Sequence, residues 1–276
     1  MRWYAAAIYV FLYLPIALIV IFSFNAGKYA MDWQGFSVEW YFKAFANPFA
    51  LKALRTSLVV GLWTAVLATS LGTLAALGLE RMSGWPRRAS DGLIYIAIMV
   101  PGVVIGIATL IAFVTVFNLA NPFLEGLFGD AAPRLAMGLP TVIGAHVLFN
   151  LAVVILIVRS RLAGLDRSLI EASEDLYATP LGTFRQVVLP MLAPAILASF
   201  LLSFTFSFED FIIAFFVSGP DSTLPIYIFS SIRRGITPEV NAIGSVVLAV
   251  SLTLLIMAQF LLRDRSGAGR ATGTEG

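Results

Sequence analysis

The stretch that decides the fold of this chain is EASEDLYATPLGTFRQVVLP, residues 171–190. It carries four charged side chains and several small polar ones, whereas the chain on either side is strongly apolar. It ends at Leu189-Pro190, where the apolar pattern resumes. One interpretation is an ordinary solvated loop, and the other is a structured surface that docks onto a partner.

The residues in and just before this stretch have the spacing of two short helices joined by a turn. Acidic residues over 166–178 alternate with leucine and isoleucine, which is typical of an amphipathic helix. Thr179-Pro180 then combines an N-cap residue with proline in the first turn of a second helix. We therefore predict a helix, a turn and a helix over 166–190, and we call this segment the polar insert.

The composition places the rest of the chain in a membrane. Hydrophobic residues make up 59% of the 276 residues and charged residues 12%, whereas soluble domains carry about 25% charged residues. A net charge of +2 is too small to indicate binding to nucleic acid. Cysteine is absent, which excludes disulfides and thiolate chemistry.

Six apolar segments are long enough to cross a bilayer, which takes about 20 residues of helix. Their predicted ranges are 4–24, 54–79, 92–119, 139–158, 190–217 and 241–262. The first is longer than a signal-peptide core and lacks a cleavage site, so we interpret it as a retained helix. The fifth contains two acids that can end it early.

The orientation follows from the loops. With the N-terminus inside, more of the 18 Lys and Arg residues fall in the inner segments than in the outer ones, as the positive-inside rule requires. This predicts that both termini and the polar insert are cytoplasmic, and that an aromatic loop over 25–53 lies outside. One transmembrane domain then covers 1–265, and the small polar residues of 266–276 form a disordered cytoplasmic tail.

Two of the predicted helices carry features that favour close packing or bending. Pro101-Gly102 in the third helix removes a backbone hydrogen bond and predicts a bend, either for packing or for lining a pathway. On the second helix, small residues at three- and four-residue spacing form a face that lets another helix, such as one from a partner subunit, approach closely. They are Gly61, Ala65, Thr69, Gly72 and Ala76.

No constellation for ATP hydrolysis or membrane catalysis stands out. The chain has no phosphate-binding G-x-x-x-x-G-K-[ST] sequence, and its single histidine, His146, reads as a satisfied core residue. Glu209-Asp210 is the remaining acidic pair in a span, and adjacent helical positions point about 100° apart. Charges inside a membrane usually mark a pathway, although a pair near the outer end of the helix can also serve as an interfacial cap.

The polar insert resembles the EAA loop of permease subunits from ATP-binding-cassette importers. That pattern has E-A-A, three residues, glycine, nine residues and I-x-L-P; here EAS at 171–173 matches its beginning and VVLP at 187–190 its end. Ser173 replaces alanine, and Tyr177 stands where the family has the glycine of the turn, so we expect this turn to be made differently. The resemblance implies residues that couple the ATPase to the membrane helices: Glu171, Ala172, Ser173, Tyr177, Leu189 and Pro190.

Nearly all of residues 1–265 also resemble the second permease of spermidine/putrescine importers. The resemblance is carried by LYLPIALIVIFSFN, by WQGFSVEWY and by the stretch from SFTFSFEDF to ITPEVNAIG. Family members often have an acid directly after the proline of the third helix, where this chain has Gly102, so a diamine or another amine-bearing cation is an open alternative to spermidine. The positions associated with uptake in that family imply a substrate pathway of Trp40, Ser207, Glu209 and Asp210.

The resemblance implies an all-α fold, with six transmembrane helices in the type I, MetI-like permease arrangement and the polar insert as cytoplasmic coupling loop. It implies a subunit of the bacterial cytoplasmic (inner) membrane that has no ATPase site or cofactor of its own. Its partners would be a second homologous permease, an ATPase dimer that binds ATP and Mg²⁺, an extracytoplasmic substrate-binding protein and membrane lipid. The alternatives are a permease for another organic cation, opine or amino-acid-like solute and, in another class, a channel or an intramembrane enzyme.

Overall fold

A computed structural model of the chain describes residues 2–29, 32–235 and 237–267. Of the predicted tail over 266–276, residues 268–276 lie outside this description. The long helices are α1 Arg2–Phe22, α3 Pro48–Glu80, α4 Gly84–Met99, α5 Gly102–Phe128, α6 Leu139–Ala163, α9 Leu189–Glu209 and α12 Pro238–Gly267. The shorter helices are α2 Glu39–Ala46, α7 Arg167–Asp175, α8 Pro180–Thr183, α10 Ile212–Val217 and α11 Leu224–Arg234.

Among the residues that the structure describes, five helical segments are long and apolar enough to cross a membrane. They are Trp3–Phe22, Pro48–Glu80, Gly102–Phe128, Leu139–Ala163 and Pro180–Glu209. The sixth predicted span corresponds to the shorter apolar stretch Pro238–Thr253 at the start of α12. The predicted helical class is therefore confirmed. The predicted bounds of the third and fifth spans are wrong, because each of these spans is interrupted.

The third predicted span, 92–119, is two helices rather than one bent helix. α4 ends at Met99, and α5 begins at Gly102. Between them, Val100 and Pro101 have ψ angles of 128° and 138°, which are extended. Proline cannot donate a helical hydrogen bond, and its ring pushes the residue before it out of the helical region, so the chain breaks here.

The fifth predicted span, 190–217, is also interrupted. α9 ends at Glu209, and Asp210 has an extended ψ of 122° before α10 begins. At its other end the same apolar helix reaches back to Pro180 through a π-helical turn over Phe184–Val188. The acids therefore end the membrane helix early, because a side chain takes over the hydrogen bonding of the backbone, as described below.

The chain divides into two compact units, Met1–Arg55 with Leu224–Gly276, and Thr56–Thr223. In the first unit, α12 packs on α1 and α2, so the segment predicted as an outer loop over 25–53 contains a helix. The buried side chain of Asn25 organises the chain before α2. Its amide nitrogen donates to the carbonyls of Tyr29 and Asp32 at 3.0 and 2.7 Å, and its oxygen accepts from Gln34 N at 2.9 Å.

Asn47 connects three helices of the first unit. Its oxygen accepts from Phe49 N at 3.0 Å and so caps the start of α3. Its amide nitrogen donates to the Tyr227 hydroxyl of α11 at 3.0 Å and to Glu239 Oε1 of α12 at 2.7 Å. One side chain thereby joins the beginning of α3 to both C-terminal helices.

In the second unit, the small-residue face of α3 packs against helices of the same chain. A Cβ atom added at Gly61 would lie 3.1 Å from the Phe204 ring of α9, and one added at Gly72 would lie 2.6 Å from Val154 Cγ1 of α6. Ala65 and Ala76 are fully buried. The expectation that this face admits a close neighbour is correct, but α6 and α9 occupy it rather than a partner subunit.

We expect Gly72→Ala to destabilise the second unit. Its Cβ would overlap Val154, which is fully buried and cannot move aside, and overpacking of this kind costs about 1–3 kcal/mol. The measurement is the thermal midpoint of the detergent-solubilised protein. Gly78→Ala on the same helix is the control, because an added Cβ there meets no atom within 4 Å. Equal midpoints for the two variants would contradict the packing assigned to α3.

Candidate functional site

The polar insert forms the helix, turn and helix that its sequence predicts. α7 begins after Asp166, whose carboxylate accepts from Ser168 N at 2.9 Å as an N-cap. Hydrogen bonds from the Ser168 side chain and backbone lower the pKa of Asp166, because they favour the charged form. The second helix begins after Thr179, whose hydroxyl accepts from Gly182 N at 3.2 Å, with Pro180 in its first turn.

The turn between the two helices differs from our expectation. Tyr177 has a φ of +59°, which is the left-handed conformation that glycine adopts most easily. Tyr177 N donates to Glu174 O at 2.9 Å and Ala178 N donates to Ser173 O at 3.1 Å, the two bonds of a Schellman C-cap. The turn is therefore made as a glycine would make it, and tyrosine bears the conformational cost.

Ser173, the other departure from the family pattern, forms a bond across this turn. Its hydroxyl lies 2.9 Å from the Thr183 hydroxyl of α8. A neutral hydrogen bond contributes about 0.5–1.5 kcal/mol, which is comparable to the cost of about 1–2 kcal/mol for a non-glycine residue with left-handed geometry. The Ser173–Thr183 bond thus offsets much of the strain at Tyr177.

We expect Tyr177→Gly to stabilise this turn by about 1 kcal/mol, because glycine adopts positive φ freely. The amide of Ala178, which donates to Ser173 O, should then exchange with deuterium about fivefold more slowly. Ala178→Gly is the control: positive φ is not found at this position, so glycine should loosen the turn. Faster exchange in Tyr177→Gly would contradict the strain assigned to the tyrosine.

The remaining residues predicted to couple to a partner lie at the two ends of the polar insert. Glu171 and Ala172 are exposed on α7, and Glu171 lines a cleft of about 320 Å³ together with Glu80 of α3. Leu189-Pro190 follows the π-helical turn, in which Leu189 N donates to Phe184 O five residues back. Pro190 has no N–H, so it cannot donate to the helical hydrogen-bond pattern at this point.

The tip of the polar insert presents an apolar surface. Leu176 is 81% exposed, Tyr177 96% and Leu181 74%. We call these three side chains the apolar tip. Large apolar side chains clustered on a structured surface are typical of protein interaction sites.

The acidic pair predicted in the substrate pathway lies where α9 breaks. Glu209 is exposed at the last position of α9, and Asp210 follows it, with 23% of its side chain exposed. Asp210 Oδ2 accepts from Ile213 N at 2.9 Å and from Ala214 N at 3.1 Å. Asp210 therefore caps α10 and takes over backbone donors that a continuous helix would have satisfied.

His146 of α6 lies beside this break, which the sequence did not indicate. Its ring is 1% exposed, with Nδ1 2.7 Å from Ser207 Oγ and Nε2 3.2 Å from Asp210 Oδ2. The Nε2 contact lacks the alignment of a hydrogen bond and is an electrostatic apposition. The prediction of a core histidine is confirmed by its burial, but only Nδ1 is satisfied, because Nε2 has no hydrogen-bond partner. Its polar neighbours lie 61 and 64 residues further along the chain.

The loop after α10 and the start of α6 are joined by buried bonds next to these residues. The Thr141 hydroxyl donates to Val217 O at 2.6 Å, and Leu139 N donates to Asp221 Oδ2 at 2.9 Å. These bonds hold α6 against the break in the α9–α10 segment. Ser207, which was predicted to lie on the pathway, is 4% exposed here and contacts His146.

Trp40, the remaining predicted pathway residue, belongs to the first unit. It lies on α2 with Lys43 Nζ 4.4 Å from its ring centroid. The same ammonium is 2.7 Å from Glu39 Oε1. The Trp40 ring and the Glu39 carboxylate thus bind a primary ammonium group together, which in this structure is that of Lys43.

Comparison with known proteins places the chain in a family. The family of binding-protein-dependent transport system inner membrane components matches residues 68–265. The chain belongs to this family. It is therefore an inner-membrane transport component and not an enzyme, and the resemblance found in its polar insert is confirmed. Within the described residues no group of three or more His, Cys, Asp or Glu side chains could hold a metal ion.

Relatives of this transport component cover most of its length. It is 33% identical over 264 residues to the spermidine/putrescine transport system permease protein PotC of Escherichia coli K12, which covers 95% of this chain and 94% of PotC. It is 38% identical over 258 residues to the putrescine transport system permease protein PotI of the same organism, covering 92% and 87% of the two chains.

Solved structures of transporters have the same fold. A bacterial ABC transporter involved in the import of the acidic polysaccharide alginate superposes with a TM-score of 0.73 at 15% identity, covering 94% of this chain and 93% of that one. The MetNI methionine ABC transporter in an inward-facing conformation has a TM-score of 0.54 at 16% identity, covering 78% and 93%. These similarities confirm the predicted all-α importer-permease fold.

Proposed function

We propose that this chain forms half of the translocation path of an ATP-driven importer for small polyamines, with a putrescine-like diamine as substrate. The observation that carries the proposal is the acidic break of an apolar span, at Glu209 and Asp210. Ionised groups in such a position are costly and usually mark a pathway. The names of the relatives PotC and PotI, permeases of spermidine/putrescine and putrescine transport systems, support the same substrate class.

The charge of the break suits a diamine. Two carboxylates at Glu209-Asp210 match the two ammonium groups of a diamine in number, whereas a trivalent amine would need a further acid. Gly102, where an added Cβ meets no atom within 4 Å, supplies no such acid. A second permease would contribute the other half of the path.

Trp40 supports the proposal independently, within the first unit. An aromatic ring face attracts an ammonium group by about 0.5–2 kcal/mol. The contact between Lys43 Nζ and the Trp40 ring is of this kind. We propose that the substrate ammonium replaces Lys43 over this ring during uptake.

The polar insert is proposed as the surface that docks onto a separate ATPase subunit. The apolar tip is exposed at the end of a turn ordered by the Schellman bonds and the Ser173–Thr183 contact. A rigid apolar projection suits a groove on a partner. ATP binding and Mg²⁺ would belong to that ATPase, because this chain lacks a phosphate-binding loop.

The proposed topology has both termini and the polar insert in the cytoplasm, as the excess of Lys and Arg in the inner segments supports. The proposed assembly contains this chain, a second homologous permease, two ATPase subunits and an extracytoplasmic substrate-binding protein, surrounded by lipid. In this assembly closure of the ATPase pair shifts the permease between outward- and inward-open states.

The test is ATP-dependent uptake of labelled putrescine by the complete complex in liposomes. We expect uptake in the wild type and a loss of about tenfold in Glu209→Gln, because an interaction with a charged group contributes about 1.5–3 kcal/mol. Glu125→Gln is the matched control. Glu125 lies near the end of α5 and forms an ion pair with Arg134 at 3.1 Å, so it takes no part in the break at Glu209-Asp210.

Two results would overturn the proposal. Uptake without ATP would favour a channel. The second result is an absence of putrescine uptake, together with ATPase activity that is stimulated by a binding protein loaded with another organic cation, an opine or an amino acid. This result would support an importer but would overturn the assignment of putrescine as its substrate.

A further inference from the structure

The contacts of Asp210 are divided unequally between its two carboxylate oxygens. Oδ2 accepts from Ile213 N and Ala214 N at 2.9 and 3.1 Å and faces His146 Nε2 at 3.2 Å. Every contact described for this side chain uses Oδ2. The described contacts thus hold the carboxylate through Oδ2, and 23% of the side chain is exposed.

The protonation of the His146 ring follows from its two neighbours. A ring with a proton on Nε2 directs that proton toward the Asp210 carboxylate, and its Nδ1 lies within hydrogen-bond distance of the Ser207 hydroxyl. The opposite tautomer would direct the Nε2 lone pair at a carboxylate oxygen, which is repulsive at 3.2 Å. The Nε2–H tautomer therefore suits both neighbours, and Ser207 fixes the ring plane.

The histidine also joins the helices on both sides of the break. His146 is on α6, Ser207 is in the last turn of α9, and Asp210 caps α10. At 1% exposure the ring has no room to turn away. Through its two nitrogens, the ring therefore links the orientation of the Asp210 carboxylate to the position of the last turn of α9.

We propose that His146 is a positioning residue, which holds Asp210 through Oδ2 so that its other oxygen is presented to the ammonium group of the substrate. The inference rests on the proposed polyamine function. It assigns His146 no contact with the substrate, and it assigns Ser207 to orienting the ring. Recognition of the cation at this point then depends on a side chain that never meets the cation.

The test compares two substitutions that each keep one half of the ring's chemistry. Gln reaches about as far as Nε2 and retains a donor toward Asp210, whereas Asn reaches only as far as Nδ1 and retains the contact with Ser207. We expect His146→Asn to raise the KM for putrescine uptake by about tenfold, because the Asp210 carboxylate loses the polar group that faces its Oδ2, with a smaller change in maximum rate. His146→Gln should keep the KM within about threefold of the wild type.

Asn150→Ala is the control for disturbed packing. Asn150 lies one turn further on the same buried face of α6, and its side chain donates to His146 O at 2.9 Å without reaching Asp210. Its KM should equal that of the wild type. Equal increases in KM for the Gln and Asn variants, or for Asn150→Ala, would reduce His146 to a packing role and overturn the proposal.

A second measurement separates this proposal from the substrate assignment. His146 is the single histidine of the chain, so a ¹⁵N-histidine difference spectrum of the complex against His146→Gln isolates its ring. We expect the proton on Nε2, and a shift of that signal in Asp210→Asn. A proton on Nδ1 alone, or a signal indifferent to Asp210, would overturn the positioning role. If the wild type fails to take up putrescine, the substrate assignment fails, and this spectrum still decides the geometry.

Discussion

Leu176→Asp should abolish ATP-driven uptake while leaving the membrane helices folded. Leu176 is 81% exposed and belongs to the apolar tip that we propose docks onto the ATPase. A carboxylate buried without a partner at the centre of an interface costs at least about 2 kcal/mol, the threshold for an interface hot spot. We therefore expect uptake to fall by about thirtyfold or more.

The decisive readout is the association of the ATPase with the permease, measured by co-purification beside uptake. Glu174→Ala is the control, because it changes a charge on the same exposed helix without touching the apolar tip. Its uptake should remain near that of the wild type. Normal association of the ATPase with Leu176→Asp would show that the tip is not the docking surface.

Asp210→Ala should have a large effect on both transport and stability. The substitution removes the acceptor of Ile213 N and Ala214 N and the partner of His146. Loss of a helix cap costs about 1 kcal/mol, and a buried donor left unsatisfied costs about 1–3 kcal/mol more. We expect a lower thermal midpoint and uptake at background.

Asp210→Asn separates the two roles of this residue. Asparagine retains an acceptor for the backbone donors of α10, and it is a good cap residue, but it carries no charge. Its thermal midpoint should therefore be close to that of the wild type, whereas putrescine uptake should remain strongly reduced. Full uptake in Asp210→Asn would return Asp210 to a structural role.

Several elements of the fold could be predicted because they depend on neighbours in the sequence. The caps at Asp166 and Thr179 act on backbone groups two or three residues away. Long apolar runs predict membrane helices because lipid leaves the backbone no other hydrogen-bonding partner. The sequence predicts a bend at Pro101, where the structure has a break. A missing N–H is a local property, whereas the angle that results depends on packing.

The turn at Tyr177 shows the limit of a sequence pattern. A tyrosine in the place of glycine led us to expect a different turn, yet its φ is +59°. The bond between Ser173 and Thr183 spans ten residues, and it holds the two helices in the arrangement that imposes this conformation. A local preference of about 1–2 kcal/mol was thus outweighed by contacts across the turn.

The sequence by itself determined that this chain is a helical membrane protein with a structured polar insert and an acidic pair in an apolar span. Hydropathy and capping chemistry suffice for these features, because they act over one or a few turns of helix. Only the tertiary structure decided that α6 and α9 cover the small-residue face of α3 and that His146 faces Asp210. Those outcomes depend on contacts between residues far apart in sequence, whose partners are selected by the packing of whole helices.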